Sequence, residues 1–404
     1  MNIFVVNSGS SSIKYQLFRM PNEKPVCIGL VERIGLEASI ITHRVFTDGD
    51  EKIIRKTIDL PDHQSGLYEV AQLLANAEIG VIQNPDEIEA VGHRVVHGGE
   101  SFSSTSVITK EVKEEIKKLF SLAPLHNPAN FLGIEVAEKI FSKAIQVAVF
   151  DTSFHQTLPE KAFLYAIPKS LYTDMGIRAY GFHGTSHKYV SEKTLQHLQN
   201  NQAKIVTIHL GNGCSMAAVH AGISVDTSMG FGPLSGLVMG TRSGDIDPSI
   251  IFHLVNQLGF SLEQVNHWFN KNSGMLGLTG NSDMRDILKA KSAGSKDADL
   301  AYEIYAYRIK KYIGSYAAIM NGLDAIVFTA GVGENDATTR RMVCTQMDYL
   351  GIKLDEEKNE ERNGNIRDIS KNDSPVKILI VPTNEELEIV KQCYTLLRDG
   401  VQNI

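Results

Sequence analysis

The sequence predicts an α/β fold built from two related domains. Three observations lead there. Short apolar strand patterns alternate with helical patterns along 404 residues, as expected of strands joined through helices. A strand–turn–strand unit at the N-terminus returns in the second half of the chain, which points to internal duplication. Hydrophobic residues make up 43% and charged residues 22% of the chain, enough to bury a full core. The length suits two or three domains.

The first unit begins with the apolar run at residues 3–6. Asn7-Ser8-Gly9-Ser10-Ser11-Ser12 follows, then residues 13–18, where Ile13, Tyr15 and Leu17 alternate with Lys14 and Gln16. This reads as a hairpin with a small-residue turn. Its counterpart is an apolar run at 205–209, the turn Leu210-Gly211-Asn212-Gly213 and a strand at 216–219. Further strands are predicted at 90–96, 144–150, 325–328 and 377–381. Ser261 and Gln264 form a capping box ahead of Val265, Trp268 and Phe269. Tyr305, Ile309, Tyr312, Ile313, Tyr316 and Ile319 repeat at helical spacing, which reads as core or subunit packing rather than a ligand box. Residues 353–362 carry eight charges in ten and read as a solvated helix or loop. A domain change falls just after Phe150.

Forty Lys and Arg against 47 Asp and Glu leave a net charge of −7, which argues against a general nucleic-acid binder. No run approaches the ~20 apolar residues of a membrane-spanning helix. The N-terminus lacks the basic segment of a signal peptide. Cys27, Cys214, Cys344 and Cys393 are too far apart in sequence for metal-ligand spacing or a disulfide framework. The expectation is a soluble cytoplasmic protein with no nucleic-acid or membrane partner.

Three loops are suited to phosphate. The first turn offers Gly9 for close backbone approach, with hydroxyls from Ser10, Ser11 and Ser12 and the charge of Lys14. The second is Leu210-Gly211-Asn212-Gly213. The third is Gly331-Val332-Gly333-Glu334-Asn335, read as a glycine turn between a strand and a helix. Neither a Walker-type nor a dinucleotide-binding glycine pattern is present. Polar residues stand in apolar or glycine-rich settings beside these loops. His93, Arg94 and His97 close a strand. Asp151 follows a strand's last residue, where open α/β sheets bind ligands. His126 lies between two prolines. His183 sits between glycines, with Thr185 or Ser186 placed to cap a helix. Arg242 is read on a flexible, exposed turn ahead of Asp245 and Asp247. Cations against phosphoryl oxygens, with a carboxylate or amide for Mg²⁺, are what phosphoryl transfer needs. The residues alone therefore reach an ATP-dependent phosphotransferase and leave its substrate open.

The motifs, taken in order, resemble the acetate kinase family. They are Asn7-Ser8-Gly9-Ser10-Ser11-Ser12, Gly92-His93-Arg94-Val95-Val96-His97-Gly98-Gly99, Ala123-Pro124-Leu125-His126-Asn127-Pro128 and Phe150-Asp151-Thr152-Ser153-Phe154-His155. Gly181-Phe182-His183-Gly184-Thr185-Ser186-His187, His209-Leu210-Gly211-Asn212-Gly213, Asp226-Thr227-Ser228-Met229-Gly230, Arg242-Ser243-Gly244-Asp245, Gly331-Val332-Gly333-Glu334-Asn335 and Thr383-Asn384-Glu385-Glu386 complete the set. The resemblance implies two duplicated actin-like ATPase (ribonuclease H-like) domains around a central nucleotide cleft. It implies domains at 1–150 plus 385–404 and at 151–384. It implies reversible ATP-dependent phosphorylation of acetate to acetyl phosphate by direct in-line transfer, in a homodimer.

The implied roles follow the matched positions. Asn7 and Glu385 would hold Mg²⁺, with Mn²⁺ as a substitute. Lys14, His209, Leu210, Gly211, Asn212, Gly213, Asp283, Met284, Arg285, Gly331, Val332, Gly333, Glu334 and Asn335 would contact ATP. Arg94 would orient the substrate carboxylate. Val96, Leu125, Phe182 and Pro233 would line a small pocket for the methyl group. His183 and Arg242 would stabilise the transferring phosphoryl group. Asp151 matches the catalytic aspartate. An ionised carboxylate substrate leaves a base no proton to remove, so Asp151 is expected to orient Arg242, the metal's water or the substrate. The 305–319 helix is one candidate dimer interface. Rival readings are a propionate or butyrate kinase, another phosphoryl donor, a non-metabolic ATPase switch on the same fold and a binding protein without catalysis.

Overall fold

The computed structural model describes every residue except Ser10, Asp48, Gly49, Leu125, Asn363 and 402–404. The expectations placed on Ser10 and Leu125 therefore lie outside the described residues. The chain divides into two compact units, Met1–Ser153 with Asn384–Ile404, and Phe154–Thr383.

The first unit carries β1 (Asn2–Ser8), β2 (Ser12–Arg19), β3 (Pro25–Glu32), β4 (Ser39–Thr47), β5 (Asp50–Ile58), β6 (Ala90–Val95), β7 (Ser106–Val107) and β8 (Ile145–Phe150). They form one sheet in the order β5-β4-β3-β2-β1-β6-β8-β7. The second unit carries β9 (Lys204–Leu210), β10 (Cys214–His220), β11 (Ile223–Thr227), β12 (Ala325–Thr329), β13 (Arg367–Asp368) and β14 (Lys377–Ile380), in the order β11-β10-β9-β12-β14-β13.

The duplication is visible in the pairing. β1 runs antiparallel to β2 and β2 to β3, while β1 runs parallel to β6 and β6 to β8. In the second unit β9 runs antiparallel to β10 and β10 to β11, while β9 runs parallel to β12 and β12 to β14. The same five-strand pattern thus occurs twice, as in duplicated actin-like domains.

Central strands are apolar throughout because both sheet faces are covered. Ile3, Phe4, Val5 and Val6 are all buried in β1. Phe4 and Val6 join a core with Leu67 and Val70 of the His63–Leu74 helix and Val136 and Ala137 of the Asn127–Ile140 helix. The C-terminal helix, Glu385–Val401, packs against β6 at Gly92. A Cβ there would lie 2.8 Å from Cys393 Sγ and 2.9 Å from Ile389, so only glycine admits the helix at this depth. Strands β3 to β5 are absent from the sequence expectation. The reason is clearest in β5, where Asp50, Glu51, Lys52, Arg55 and Lys56 occupy a largely exposed edge. Such charges protect an edge from pairing with another chain and erase the apolar alternation that marks a strand.

In the second unit, Tyr305, Ile309, Ile313 and Tyr316 of the Lys296–Met320 helix are buried, so this part of the tyrosine stripe is core. Tyr312 instead donates to Asp245 at 2.7 Å. The Ser261–Gln264 capping box forms as expected. The charged 353–362 segment is only partly solvated. It contains the short Glu356–Glu360 helix, whose Asn359 is buried and accepts from Arg340 Nε at 2.7 Å.

Buried imidazoles make the first unit sensitive to acid. His43 takes a hydrogen bond with the Tyr15 hydroxyl at 2.7 Å, and His93 donates from Nε2 to Gln146 at 2.8 Å. Burial pushes both down to about 4. The unfolded chain therefore binds protons that the fold refuses. This contribution to stability is complete above the unfolded value near 6.5 and falls as pH drops toward 4, by up to roughly 3 kcal/mol per ring. Urea unfolding at pH 7.5 and pH 5 should show a clearly lower midpoint at pH 5. A His93→Gln variant should lose part of that difference. Equal wild-type midpoints would refute neutral burial.

Candidate active site

Each unit gathers its own polar cluster. In the first, parallel pairing sets Arg94 opposite Val149 and Val95 opposite Phe150. Asp151 is thereby carried to the end of β8, beside the end of β6. Its carboxylate accepts from Arg94 Nε at 2.9 Å and from Nη2. Glu385 lies 3.7 Å from the same guanidinium. Burial works against the charge on Arg94, but Asp151 and Glu385 outweigh it and raise its pKa. Asp151 therefore fixes Arg94 within this unit.

Asn384 caps the C-terminal helix by accepting from Leu387 N–H at 3.0 Å, which sets Glu385 and Glu386 in its first turn. Lys14 pairs with Glu386 at 2.6 Å. Burial pushes the Glu385 carboxyl up; Asp151 and Glu386 add to that, while Arg94 and Lys14 oppose it. A carboxylate held in this way gains from a cation. Asn7 lies in β1 near its end and adds a neutral amide oxygen to the donor types of this unit.

The loop after β6 is held by two asparagines. Asn127 accepts from His97 N–H at 3.0 Å and donates to His97 C=O at 2.9 Å. Asn130 accepts from Val96 N–H at 3.1 Å and donates to Ser8 C=O at 2.8 Å. Half-buried Val96 thus owes its place to the first turn of the Asn127–Ile140 helix. The spacing of Asn127 and Asn130 was a signal that sequence reading left unused.

The second cluster surrounds Gly213. A Cβ there would sit 3.3 Å from His183 Cε1, 3.4 Å from His183 Nε2 and 3.7 Å from Arg242 Nη1. A side chain at 213 would press on the His183 ring, so glycine lets the β9–β10 turn lie against the imidazole with the Arg242 guanidinium beside it. His183 has φ 56° and ψ 27°, a left-handed conformation costly for a residue with a Cβ. It occupies the N-cap of the Gly184–Leu198 helix itself, which corrects the expectation that Thr185 or Ser186 would cap. Ser186 Oγ instead lies 2.8 Å from His209 Nδ1 and 2.9 Å from Thr383 Oγ1. The His183 and His209 rings stack at 4.3 Å. Phe182 is buried, and its carbonyl accepts from His155 Nε2 at 3.2 Å.

Arg242 is half-buried, which corrects its reading as exposed. It donates to Pro233 C=O at 2.9 Å and approaches Met239 Sδ at 3.7 Å. Among the described residues it makes no ion pair. Burial lowers its pKa. A desolvated guanidinium without a counter-charge is a prepared anion site.

The remaining loops lie in the same unit. Residues Ala330–Asn335 form a helix directly after β12 rather than a turn. Arg340 donates to Gly333 C=O at 2.9 Å and Arg367 to Glu334 C=O at 3.2 Å. Asp283 caps the Met284–Ser292 helix and pairs with exposed Arg285. Tyr302 ties these segments together, with its hydroxyl 2.9 Å from Asp336 Oδ2 and 3.3 Å from Met284 O. Tyr305 reaches Cys214 Sγ at 3.2 Å, behind the 210–213 turn. Sequence reading missed Tyr302 altogether. Among the expected pocket residues, Phe182 and Pro233 belong to this unit and Val96 to the other.

Two sheets that share a five-strand pattern, with polar clusters of arginine, histidine and carboxylate at their loops, define a phosphotransferase-type α/β protein. The chain matches the Acetokinase family model over residues 2–391. It is 58% identical to the acetate kinase of Flavobacterium johnsoniae, over 99% of this chain and 100% of that protein. It is 54% identical to the acetate kinase of Thermotoga maritima, over 97% of each. The crystal structure of Porphyromonas gingivalis acetate kinase superposes with TM-score 0.91 at 43% identity, covering 98% of this chain and 99% of that one. That of a propionate kinase from Francisella tularensis superposes with TM-score 0.90 at 41% identity, covering 97% and 98%. The chain belongs to the acetokinase family.

The asparagine brace gives a test of the site's scaffold. Asn127→Ala removes the two hydrogen bonds that hold the buried His97 backbone, each worth about 0.5–1.5 kcal/mol. Urea unfolding should show a loss in that range or above, with Asn127→Asp losing at least as much because a buried carboxylate cannot donate to the His97 C=O. A stability loss below about 0.5 kcal/mol would remove the brace from the account.

Proposed function

We propose that the protein phosphorylates acetate with ATP, reversibly, to give acetyl phosphate and ADP. The observation that carries this is the uncompensated guanidinium of Arg242 beside His183 at Gly213, in a chain of the acetokinase family. A guanidinium and an imidazole beside one position suit a phosphoryl group in transit.

In this reading an acetate oxygen attacks the γ-phosphorus in line as the bond to the ADP oxygen breaks. No phosphoenzyme forms. Arg242 and His183 counter the charge on the equatorial oxygens. Arg94 receives the acetate carboxylate, and Asp151 acts by holding that guanidinium in place. The acetate methyl group is assigned to Val96 of one unit and to Phe182 and Pro233 of the other, with Leu125 outside the described residues. Lys14, the residues from His209 to Gly213, those from Asp283 to Arg285 and those from Gly331 to Asn335 serve ATP.

Glu385 and Asn7 supply hard oxygen donors suited to Mg²⁺, which keeps waters and binds through few protein groups plus phosphates. The raised Glu385 carboxyl supports this fit. Mn²⁺ could take the same donors. When bound, the ion screens the nucleotide's phosphate charge.

The two units are assigned as the duplicated domains, with boundaries near 150 and 385. A cytoplasmic location is supported by four buried free cysteines. Among the described residues no helix is long and apolar enough to cross a membrane. A second copy of the chain is the assigned partner for the Ser249–Asn256 helix. This helix reads SIIFHLVN yet buries none of its residues, and Phe252, Leu258 and Leu262 nearby are more than half exposed. That surface is a better homodimer candidate than the 305–319 stripe, much of which is core.

The likeness to a propionate kinase structure keeps propionate as the second reading, since one methylene in an apolar pocket is worth only ~1–3 kcal/mol. Incubation with MgATP and acetate, propionate or butyrate, with hydroxylamine trapping, should give the highest kcat/KM for acetate. Propionate ahead would move the substrate and keep the mechanism. No acyl hydroxamate from any acid would sink the kinase reading. Arg242→Ala should lower kcat by roughly 100-fold or more with little change in apparent ATP affinity. An unchanged kcat would remove Arg242 from the phosphoryl site.

A further inference from the structure

Behind His183 lies a chain of side chains that the reaction does not use. His183 Nδ1 is 2.8 Å from Ser215 Oγ, and the same oxygen is 2.8 Å from His187 Nε2. His187 Nδ1 is 2.7 Å from Thr207 Oγ1, which lies 3.4 Å from Ala217 O. His187, Thr207 and Ser215 are each fully buried. The four residues come from the Gly184–Leu198 helix with its N-cap, from β9 and from β10, so the packing of this unit alone creates the chain.

Proton counting restricts the chain to two orders. Burial holds His187 well below its ordinary pKa, with His155 and His209 adding to the effect, so its ring is neutral. A neutral imidazole has one N–H and one lone pair, and a hydroxyl has one proton to give. If His187 carries its proton on Nδ1, it donates to Thr207, and Thr207 donates to Ala217 C=O. Ser215 then donates to His187 Nε2 and accepts from His183 Nδ1–H. In the reverse order Thr207 donates to His187 Nδ1, His187 Nε2–H donates to Ser215, and Ser215 donates to His183 Nδ1. The first order uses the Ala217 carbonyl, whereas the second leaves it aside. Only the first can accept from an imidazolium at His183, whose Nδ1 always bears a proton.

We propose that Ser215, His187 and Thr207 are positioning residues that fix the proton of His183 on Nδ1 and so support its charged form at the phosphoryl group. The inference rests on the assignment of His183 to that group. The titratable groups facing the His183 ring from the elements packed on it are His209, stacked at 4.3 Å, Arg242 across Gly213, and His187 through Ser215. Arg242 disfavours a second positive charge beside it. An acceptor chain behind the ring offsets this without placing a carboxylate against Arg242. The arrangement does what a carboxylate does for a catalytic histidine, using neutral groups.

Long-range ¹H–¹⁵N correlations of ¹⁵N-histidine-labelled enzyme report which ring nitrogen carries the proton, and His183→Gln identifies the His183 signals. At pH 8 the wild-type signals of His183 and His187 should both show the Nδ1–H form. Thr207→Val removes the acceptor for His187 and should switch both rings to the Nε2–H form. It should also lower kcat at least roughly tenfold with KM for acetate and ATP nearly unchanged. Thr207→Ser restores the oxygen and should restore both readouts. An Nε2–H form at His183 in the wild type overturns the proposal. So does an unchanged His183 signal in Thr207→Val, or a Thr207→Ser variant that behaves like it. If Thr207→Val does not fold, Ser215→Ala decides, because an unshifted His183 Nδ1–H signal there also overturns the proposal. A His183→Gln enzyme with wild-type kcat would instead sink the phosphoryl role of His183 and leave the tautomer result intact.

Discussion

The first unit depends on the pair between Arg94 and the fully buried Asp151. Burying such a pair costs desolvation that its own attraction only partly returns. It survives here because the sheet gives neither partner another place. β6 and β8 run parallel in fixed register, and Asp151 N–H donates to Val95 C=O at 3.0 Å. A shift of one residue would turn Arg94 to the opposite face. The covered, apolar interior of β6 and β8 forbids that. Core packing thus holds a charged constellation at the strand ends.

The second unit reaches a similar result with the opposite electrostatics. Arg242 is desolvated and has no carboxylate among its contacts with the described residues. His183 adds backbone strain at φ 56°. Neither feature stabilises the fold, and both persist because surrounding structure over-determines them. Tyr302 and Tyr305, from a helix whose apolar face is core, brace the loops on either side. Stability drawn from that helix offsets the cost of a poised anion site.

Legibility in the sequence followed local character. Arg94, Asp151, His183 and Arg242 stood out because each is a charged or titratable residue at a strand end or among glycines. The hairpins of β1–β2 and β9–β10 were readable because their turns are rich in glycine, serine or asparagine between apolar runs. What escaped depends on register and depth. β5 carries no apolar alternation. Ser215 looks like any strand serine until pairing brings β10 beside β9 and the histidine helix packs on them. The cap expected from Thr185 or Ser186 failed because His183 takes the left-handed conformation and frees Ser186 for His209. Arg242 looked exposed because a glycine-flanked arginine reads as a turn, and nothing local shows that Pro233 and Met239 close over it.

The duplicated strand pattern also shows how one scaffold carries two chemistries. The turn between the first two strands is Gly9 to Ser11 in one unit and Gly211 to Gly213 in the other. After the first parallel strand stand Val96 and His97 in one unit and the Ala330–Asn335 helix in the other. After the second stand Asp151 in one unit and the segment ending at Thr383 in the other, just ahead of Glu385. The first unit thus holds an acid-rich, arginine-centred cluster at these exits, while in the second unit His183 and Arg242 come to the β9–β10 exit from other segments. Sheet geometry dictates where functional groups can emerge, and the side chains at those exits decide what they do. In the proposed reaction one kind would hold the acceptor carboxylate and the other would receive phosphoryl charge. Duplication supplies the exits, and side chains from outside them complete the second cluster.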